Sequence, residues 1–129
     1  MITVVFDKDS DNRIIALYMN GHAGYAEEGY DIICSAASTL FYTAVNSLEE
    51  MCGLNSDRFA EIKEDDGDGD VHSSIRLNDI DSSIEEKVQI IMETILYGFR
   101  TLEMSANCNG EKYIELIESI WITMEVYSQ

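Results

Sequence analysis

The sequence predicts an α+β domain with two layers, in which two helices pack on one face of a mostly antiparallel, mixed sheet. Three observations favour this fold: two pairs of short β-prone segments, two longer segments with helical spacing of apolar residues, and one apolar segment near the end. Their order, β-β-α-β-β-α-β, lacks the strict strand–helix alternation of a parallel sheet. A chain of 129 residues fits one domain, and we assign residues 1–129 to it.

The first pair of strands and the first helix are predicted from the N-terminal segments. ITVVFD (2–7) and RIIALYMNG (13–21) are rich in β-branched residues and flank the turn-forming KDSDN, which predicts a hairpin. From Asp31 to about Cys52 apolar residues recur at steps of three and four, which predicts a helix that Gly53 ends. The predicted buried face of this helix consists of Ile33, Ala37, Leu40, Phe41, Ala44, Val45, Leu48 and Met51.

The second pair of strands and the second helix follow the same reasoning. FAEIKE (59–64) and VHSSIRL (71–77) alternate with period two around DDGDGD, which predicts a second hairpin. Ser82 with Glu85, or Ser83 with Glu86, could form a capping box at the start of a helix. The apolar side of that helix would carry Ile84, Val88, Ile91, Ile95, Phe99 and Leu102.

The last element is predicted as a strand over 112–127. Its apolar residues alternate along one face, and Glu118 interrupts them. A helical stripe through Ile117, Trp121 and Met124 fits the same segment less well. Residues 119–129 could form a C-terminal extension of the domain.

Composition and charge limit the partners. The net charge of −17 disfavours direct binding to nucleic acid or anionic membranes and favours a basic partner, although it could also serve solubility alone. No segment approaches the ~18 apolar residues of a membrane span, and the first residues lack the features of a signal peptide. We therefore expect a cytoplasmic protein whose three cysteines are reduced thiols.

Metal and cofactor sites are not predicted. The cysteines and histidines are scattered, without the close pairs of a zinc site. DDGDGD resembles the start of a calcium loop, but Val71 stands where such a loop needs glycine, so a solvated turn is favoured. By strand alternation His72 should face solvent or a neighbouring strand.

Residues 20–38, NGHAGYAEEGYDIICSAAS, contain a candidate nucleophilic pair. A cysteine needs something to stabilise its thiolate, since the pKa of a free thiol is ~8.5. If Asp31 caps the helix, Cys34 lies in the first turn, where the helix dipole favours an anion. His22 could form an ion pair with the thiolate and later donate a proton. Asp31 could alternatively orient the imidazole.

The segment between these residues could form a loop that closes over a peptide. It would consist of Gly21, Ala23, Gly24, Tyr25, Gly29 and Tyr30, and Ser35 and Ser38 would lie beside the thiol. Its glycines allow backbone movement, and its tyrosines offer apolar area with a polar tip. Spacing alone is weak evidence for a catalytic pair and favours two unrelated residues, because buried cysteine is common in protein cores.

GHA (21–23) followed by GYDIICSAAS (29–38) resembles the signature of the ribosomal-processing cysteine protease family, Prp. In that family Gly-His-Ala is followed, at the same separation, by Gly-x-Asp-Ile-Val-Cys. The strong part of the resemblance is confined to residues 20–38. The chain departs from the family pattern at Ile33, where valine is usual, at Ser35, where alanine is commoner, and in its longer tail.

The resemblance implies a function and a mechanism. Cys34 would be the nucleophile and His22 the general base and acid. The substrate would be a short N-terminal extension on large-subunit ribosomal protein 27, a basic partner, and the enzyme would be a homodimer without a cofactor. The alternative is a non-catalytic acidic module that binds a basic ribosomal or assembly protein.

Overall fold

The structure, a computed structural model, describes residues 1–22, 28–64, 70–107 and 110–120. Within these ranges it describes every side chain except those of residues 22, 28–31, 64, 70 and 71. The elements are β1 (Ile2–Lys8), β2 (Ile14–His22), α1 (Glu28–Cys52), α2 (Ser56–Phe59), β3 (Ala60–Glu64), β4 (Asp70–Arg76), α3 (Glu85–Ala106) and β5 (Ile114–Ile120).

The five described strands form one mixed sheet in the order β3-β4-β2-β1-β5. β1 and β5 pair in parallel, and the other three pairings are antiparallel. The predicted element order and fold class are confirmed, with one addition. The single turn α2 was not predicted, and it takes Phe59 out of the predicted strand. Its first N–H groups are capped by Asn55, whose side-chain oxygen accepts from the backbone N–H of Asp57 at 3.1 Å.

One hydrophobic core lies between the sheet and the two long helices. β1 alternates with Ile2, Val4 and Phe6 buried, as a strand covered on one face should. The edge of the Phe99 ring, on α3, packs against Phe6 at a centroid distance of 5.8 Å. α1 and α3 approach closely at Gly98, where a Cβ would lie 2.6 Å from Leu40 Cδ2, the end of a flexible side chain.

Most of the predicted helix faces are confirmed, and two details are wrong. Met51 is 57% exposed, and Cys52, one helical turn after the buried Leu48, packs against the core instead. The predicted capping box is also wrong. α3 begins at Glu85 after Ile84, whose hydrocarbon side chain has no acceptor for a helix N–H. The Ser83 N–H donates to Asp81 Oδ1 at 2.9 Å in the turn before the helix.

The predicted end of α1 is confirmed. Gly53 has φ of 71°, the left-handed conformation that glycine adopts without strain. Its N–H donates to the carbonyl of Glu49 at 3.0 Å, and the N–H of Leu54 donates to Leu48 at 3.3 Å. These two bonds satisfy carbonyls that would otherwise lack a partner at the helix end.

Two ion pairs explain why Glu118 interrupts the apolar pattern of β5. Its carboxylate accepts from the guanidinium of Arg100, on α3, at 2.7 Å and from the Lys8 ammonium, on β1, at 3.1 Å. The Arg100 hydrogen bond, followed by that of Lys8, lowers the pKa of Glu118. The described strand ends at Ile120, so the part of the predicted strand beyond it lies outside the described residues.

Glu118 should therefore contribute stability that depends on pH. A carboxyl with a lowered folded-state pKa stabilises the fold above its unfolded pKa and loses that contribution as pH falls through the folded value. Replacing Glu118 with Gln should lower the free energy of unfolding by about 1 kcal/mol near neutral pH, and by less at each step toward acid. Urea unfolding of both proteins at several pH values from neutral to acid measures the difference in their free energies of unfolding. The control is Glu93→Gln, on the exposed side of α3. An equal loss at every pH would contradict the ion-pair account.

Candidate active site

β2 and α1 carry the two residues of the predicted nucleophilic pair. His22 is the last residue of β2, a central strand that lies between β4 and β1. In the ladder with β4, Gly21 is opposite Val71 and His22 is opposite Asp70. The chain then passes from this end of the sheet into α1 through residues 23–27, which lie outside the described residues.

Gly21 precedes His22 at a point where the backbone of β1 comes close. A Cβ at Gly21 would lie 3.0 Å from the Ile2 Cγ1 and 3.3 Å from the Ile2 Cα. Both distances are tighter than ordinary van der Waals contact, and the second is to backbone, which yields less readily than a flexible side-chain end. A side chain at this position would therefore push β1 and β2 apart beside His22.

Cys34 lies at the boundary between the core and solvent. Ile33 and Ala37, on the inner face of α1, are almost completely buried, whereas Ile32 is 70% exposed. Cys34 is half-buried, packs against the core on one side and is a thiol. A group in this position is held by packing and remains accessible to a reactant.

The start of α1 corrects the predicted position of the thiol. The helix begins at Glu28, so the prediction that Asp31 is its N-cap is wrong, and Cys34 is its seventh residue. The capping preference of Asp31 does not set the start of the helix, because α1 already includes the three residues before it, Glu28–Tyr30. The dipole effect falls off within the first turn. Stabilisation of a Cys34 thiolate therefore depends more on a neighbouring charge than on the helix end.

The remaining predicted site residues fall into three groups. Ala23, Gly24 and Tyr25 lie outside the described residues. Gly29 and Tyr30 were predicted in the loop, which is wrong, because both belong to the first turn of α1. Ser35 is exposed and Ser38 is half-buried on α1.

The side chains of His22 and Asp31 lie outside the described residues. The separation of the imidazole from Cys34 Sγ is therefore not described either. Orientation of the imidazole by Asp31 stays a prediction.

His72 lies where strand alternation predicts it, exposed and against a neighbouring strand. Its Nδ1 is 2.8 Å from Asn20 Oδ1, across the β2–β4 ladder. Asn20 was not predicted as a partner, and only the register of the two hairpins could have revealed it. The contact between His72 and Asn20 links β2 to β4 two residues before His22.

Cys52 is half-buried at the end of α1, and Cys108 lies outside the described residues. In the part of the chain that the structure describes, no three His, Cys, Asp or Glu side chains are grouped as metal ligands would be. None of the helices in that part is both long and apolar enough to cross a membrane.

The family model described as Cysteine protease Prp matches residues 1–111. The chain belongs to the Prp family of cysteine proteases. The resemblance predicted from residues 20–38 is therefore confirmed, and the match extends over β1–β4 and over the three helices α1, α2 and α3. It excludes β5 and the tail.

Individual relatives and solved structures are also similar to this chain. The ribosomal processing cysteine protease Prp of Staphylococcus aureus is 33% identical over 109 residues, which cover 84% of this chain and 94% of that protein. SMU.848 from Streptococcus mutans has a crystal structure with a TM-score of 0.74 and 28% identity, covering 94% of this chain and 96% of that one. The S. aureus protease in complex with a substrate peptide gives a TM-score of 0.67 at 32% identity, over 92% of this chain and all of that one.

The close approach at Gly21 gives a prediction about stability. Gly21→Val should lower the free energy of unfolding by about 1–3 kcal/mol, because the new side chain overpacks the strand pair. Gly21→Ala should lower it less. Urea unfolding measures both. A valine variant as stable as the unmodified protein would contradict the proximity of the two backbones.

Proposed function

We propose that this cysteine protease removes a short N-terminal extension from large-subunit ribosomal protein 27, with Cys34 as nucleophile and His22 as general base and acid. The proposal is carried by one observation: the GHA and GYDIIC segments resemble the family signature at its own spacing, with Ile33 in place of its valine. The family model matches residues 1–111, which contain both segments. The structures of a related protease with a substrate peptide and with a covalently linked product peptide support peptide cleavage as the reaction. Membership of a protease family also favours an enzyme over the non-catalytic binding module.

The reaction would begin with an ion pair between the Cys34 thiolate and the His22 imidazolium. The thiolate attacks the carbonyl carbon of the scissile peptide bond and forms a C–S bond, and the carbonyl oxygen becomes an oxyanion. When this intermediate collapses, the C–N bond breaks and the imidazolium gives its proton to the departing amine. The cleaved extension remains on Cys34 as a thioester.

Hydrolysis of the thioester would regenerate the enzyme. The now neutral His22 takes a proton from water, and the resulting hydroxide attacks the thioester carbonyl. The C–S bond breaks, the extension leaves with a new C-terminal carboxyl group, and the thiolate and imidazolium are restored. Each proton that His22 gives up in the first half is therefore recovered in the second.

The oxyanion would need N–H donors near Cys34. The first four N–H groups of a helix have no intrahelical acceptor, so in α1 the available donors belong to residues 28–31. These residues also contain Gly29, Tyr30 and Asp31 of the signature. A substrate carbonyl held over this first turn would meet both the donors and the half-buried thiol one turn later.

The acidic surface suits the proposed substrate. A net charge of −17 attracts a basic ribosomal protein and speeds their encounter at low ionic strength. We place the reaction in the cytoplasm, where ribosomal proteins are made, and infer a homodimer from the resemblance to the family. Gly21, Ala23, Gly24 and Tyr25 would line the path of the bound peptide.

Cleavage of a synthetic peptide tests the function and the two roles. The peptide spans the extension and the first residues of the mature ribosomal protein, and mass spectrometry locates the cut. Cys34→Ala and His22→Ala should each lower kcat/KM by about 10³-fold or more, because each removes a partner of the covalent step. Cys52→Ala, at the other half-buried thiol, is the matched control and should cleave normally.

An intact peptide with the unmodified protein would reject the function. Equal cleavage by the Cys34→Ala variant would reject the assignment of the nucleophile.

The proposed homodimer gives a separate prediction. Sedimentation at micromolar concentration should show a species of twice the 14.6 kDa chain mass. Dissociation should not be promoted by salt, because two chains that each carry −17 repel one another and salt screens that repulsion. A single species of chain mass at all concentrations would contradict the dimer.

A further inference from the structure

A pocket lies at the end of the sheet that is remote from His22. It is formed by the segment that follows α1, by α2, by the last residue of β4 and by the turn after β4, and its volume is ≈ 320 Å³. That volume is at the lower end of the range for small-molecule sites. Arg76, which lines the pocket, is opposite Ala16 in the β2–β4 ladder. The strand from Ala16 to His22 is about 20 Å long, so the pocket is separate from the candidate active site.

The cations of the chain are distributed unevenly between ion pairs and this pocket. The chain has 8 lysines and arginines against 25 carboxylates, and the cations that pair with carboxylates are Lys8, Arg13, Lys63, Arg100 and Lys112. Lys87 donates to the Met51 carbonyl at 3.1 Å. In the part of the chain that the structure describes, the remaining Arg58 and Arg76 have no ion pair with a carboxylate, and both line the pocket.

Both arginines extend from backbone that is held in place. Arg76 ends β4, which has a strand on either side, and its guanidinium carbon is 5.6 Å from the centre of the Tyr18 ring. Arg58 precedes the buried Phe59, and its N–H donates to the Asn55 carbonyl at 3.0 Å. A site whose charged groups are already positioned loses less entropy when it binds a ligand.

The two guanidinium groups select an anion. Like charges in one pocket repel each other, and an oxyanion that accepts hydrogen bonds from both relieves that repulsion. Among the described residues that line the pocket, Asp79 carries the only carboxylate. A phosphate monoester has a charge of about −1.5 to −2 near neutral pH, so it gains more from two arginines than a carboxylate with a single charge.

The rest of the pocket wall suits the organic part of such a ligand. Leu54 and Ile80 line the pocket, and both are half-buried and pack against the core. Asn55 and Asn78 line it as well, and an amide NH2 group can donate to a phosphate oxygen. The wall therefore combines apolar surface with neutral donors around the two cations.

We propose that this pocket binds a small organic phosphate, whose oxygens accept from Arg58 and Arg76 and whose apolar part packs against Leu54 and Ile80. The net charge of −17 opposes anions at long range. Salt screens that repulsion beyond ~8 Å, whereas the contacts inside the pocket are shorter. The proposal concerns a second site and does not depend on the proposed function.

Titration with phenyl phosphate tests the site. The full chain is isotope-labelled, and the side-chain Nε–H signals of its arginines are followed by NMR. Those of Arg58 and Arg76 should shift along one saturable curve with a Kd of about 1 mM or below. Those of Arg13 and Arg100, whose guanidinium groups already pair with carboxylates, should not move.

Two further probes define the class of ligand. Inorganic phosphate should bind more weakly than phenyl phosphate, because it has no apolar part to pack against the wall. Benzoate should also bind more weakly, because it brings a single negative charge to the two arginines.

Substitutions in the pocket test the roles of its charges. Arg58→Gln and Arg76→Gln should each raise the Kd for phenyl phosphate about tenfold or more. Lys112→Gln makes the same change in net charge at an exposed residue outside the pocket and should leave the Kd unchanged. Asp79→Asn should lower the Kd about threefold, because it removes the opposing carboxylate and asparagine tolerates the φ of 54° at this position.

The outcomes decide the proposal without reference to catalysis. The absence of a saturable shift at both arginines would overturn it, as would equal Kd values for Arg58→Gln and Lys112→Gln. Tighter binding of benzoate than of phenyl phosphate would overturn the assignment to phosphates. Cys34→Ala should bind phenyl phosphate as tightly as the unmodified protein, so the result stands whether or not the proposed function does.

Discussion

The packing of α1 across the sheet determines where the thiol lies. Ile33 and Ala37 fix the inner face of the helix, and the helical period then sets Cys34 at the edge of that face. The thiol is consequently held by the core without being enclosed in it. Burial on one side fixes its position, and exposure on the other allows a substrate carbonyl to approach. A rotation of α1 by one residue would place the thiol fully in solvent or fully in the core.

The position of β2 determines where His22, the second residue of the proposed pair, lies. A central strand is held on both sides by ladders, and the Asn20–His72 hydrogen bond adds a side-chain contact just before His22. The strand ends at His22, and α1 begins six residues later. A short connection between two rigid elements limits how far the signature residues can separate. In the proposed mechanism, this short connection keeps His22 and Cys34, twelve positions apart, near enough to act together.

Much of the fold could be predicted because burial imposes a period on the sequence. The alternation in β1 and the three- and four-residue steps in α3 predict the elements and most of the core. The errors occur where local preference competes with tertiary contacts. Ser82 and Ser83 have side chains that can cap a helix, but the Ser83 N–H donates to Asp81 and the helix begins only after Ile84. Glu118 interrupts the apolar pattern of β5 because its carboxylate pairs with the side chains of Lys8 on β1 and Arg100 on α3.

The candidate site was predicted by resemblance more than by physics. The sequence alone could not distinguish a catalytic cysteine from core filler, and it placed the thiol too close to the helix end. With α1 beginning at Glu28, the helix dipole contributes less at Cys34, so in the proposed mechanism a charged partner has to stabilise the thiolate. The account therefore depends on His22 more heavily than the sequence suggested.

The most direct test of this dependence is the rate at which Cys34 is alkylated, measured from about pH 5 to pH 9 in the unmodified protein and in His22→Gln. The account predicts that the unmodified Cys34 reacts rapidly even in mild acid, faster than Cys52 and Cys108. It also predicts that His22→Gln slows that reaction at least tenfold in acid while leaving it nearly unchanged at the alkaline end. An identical pH profile in both proteins would contradict a thiolate–imidazolium pair at the centre of the site.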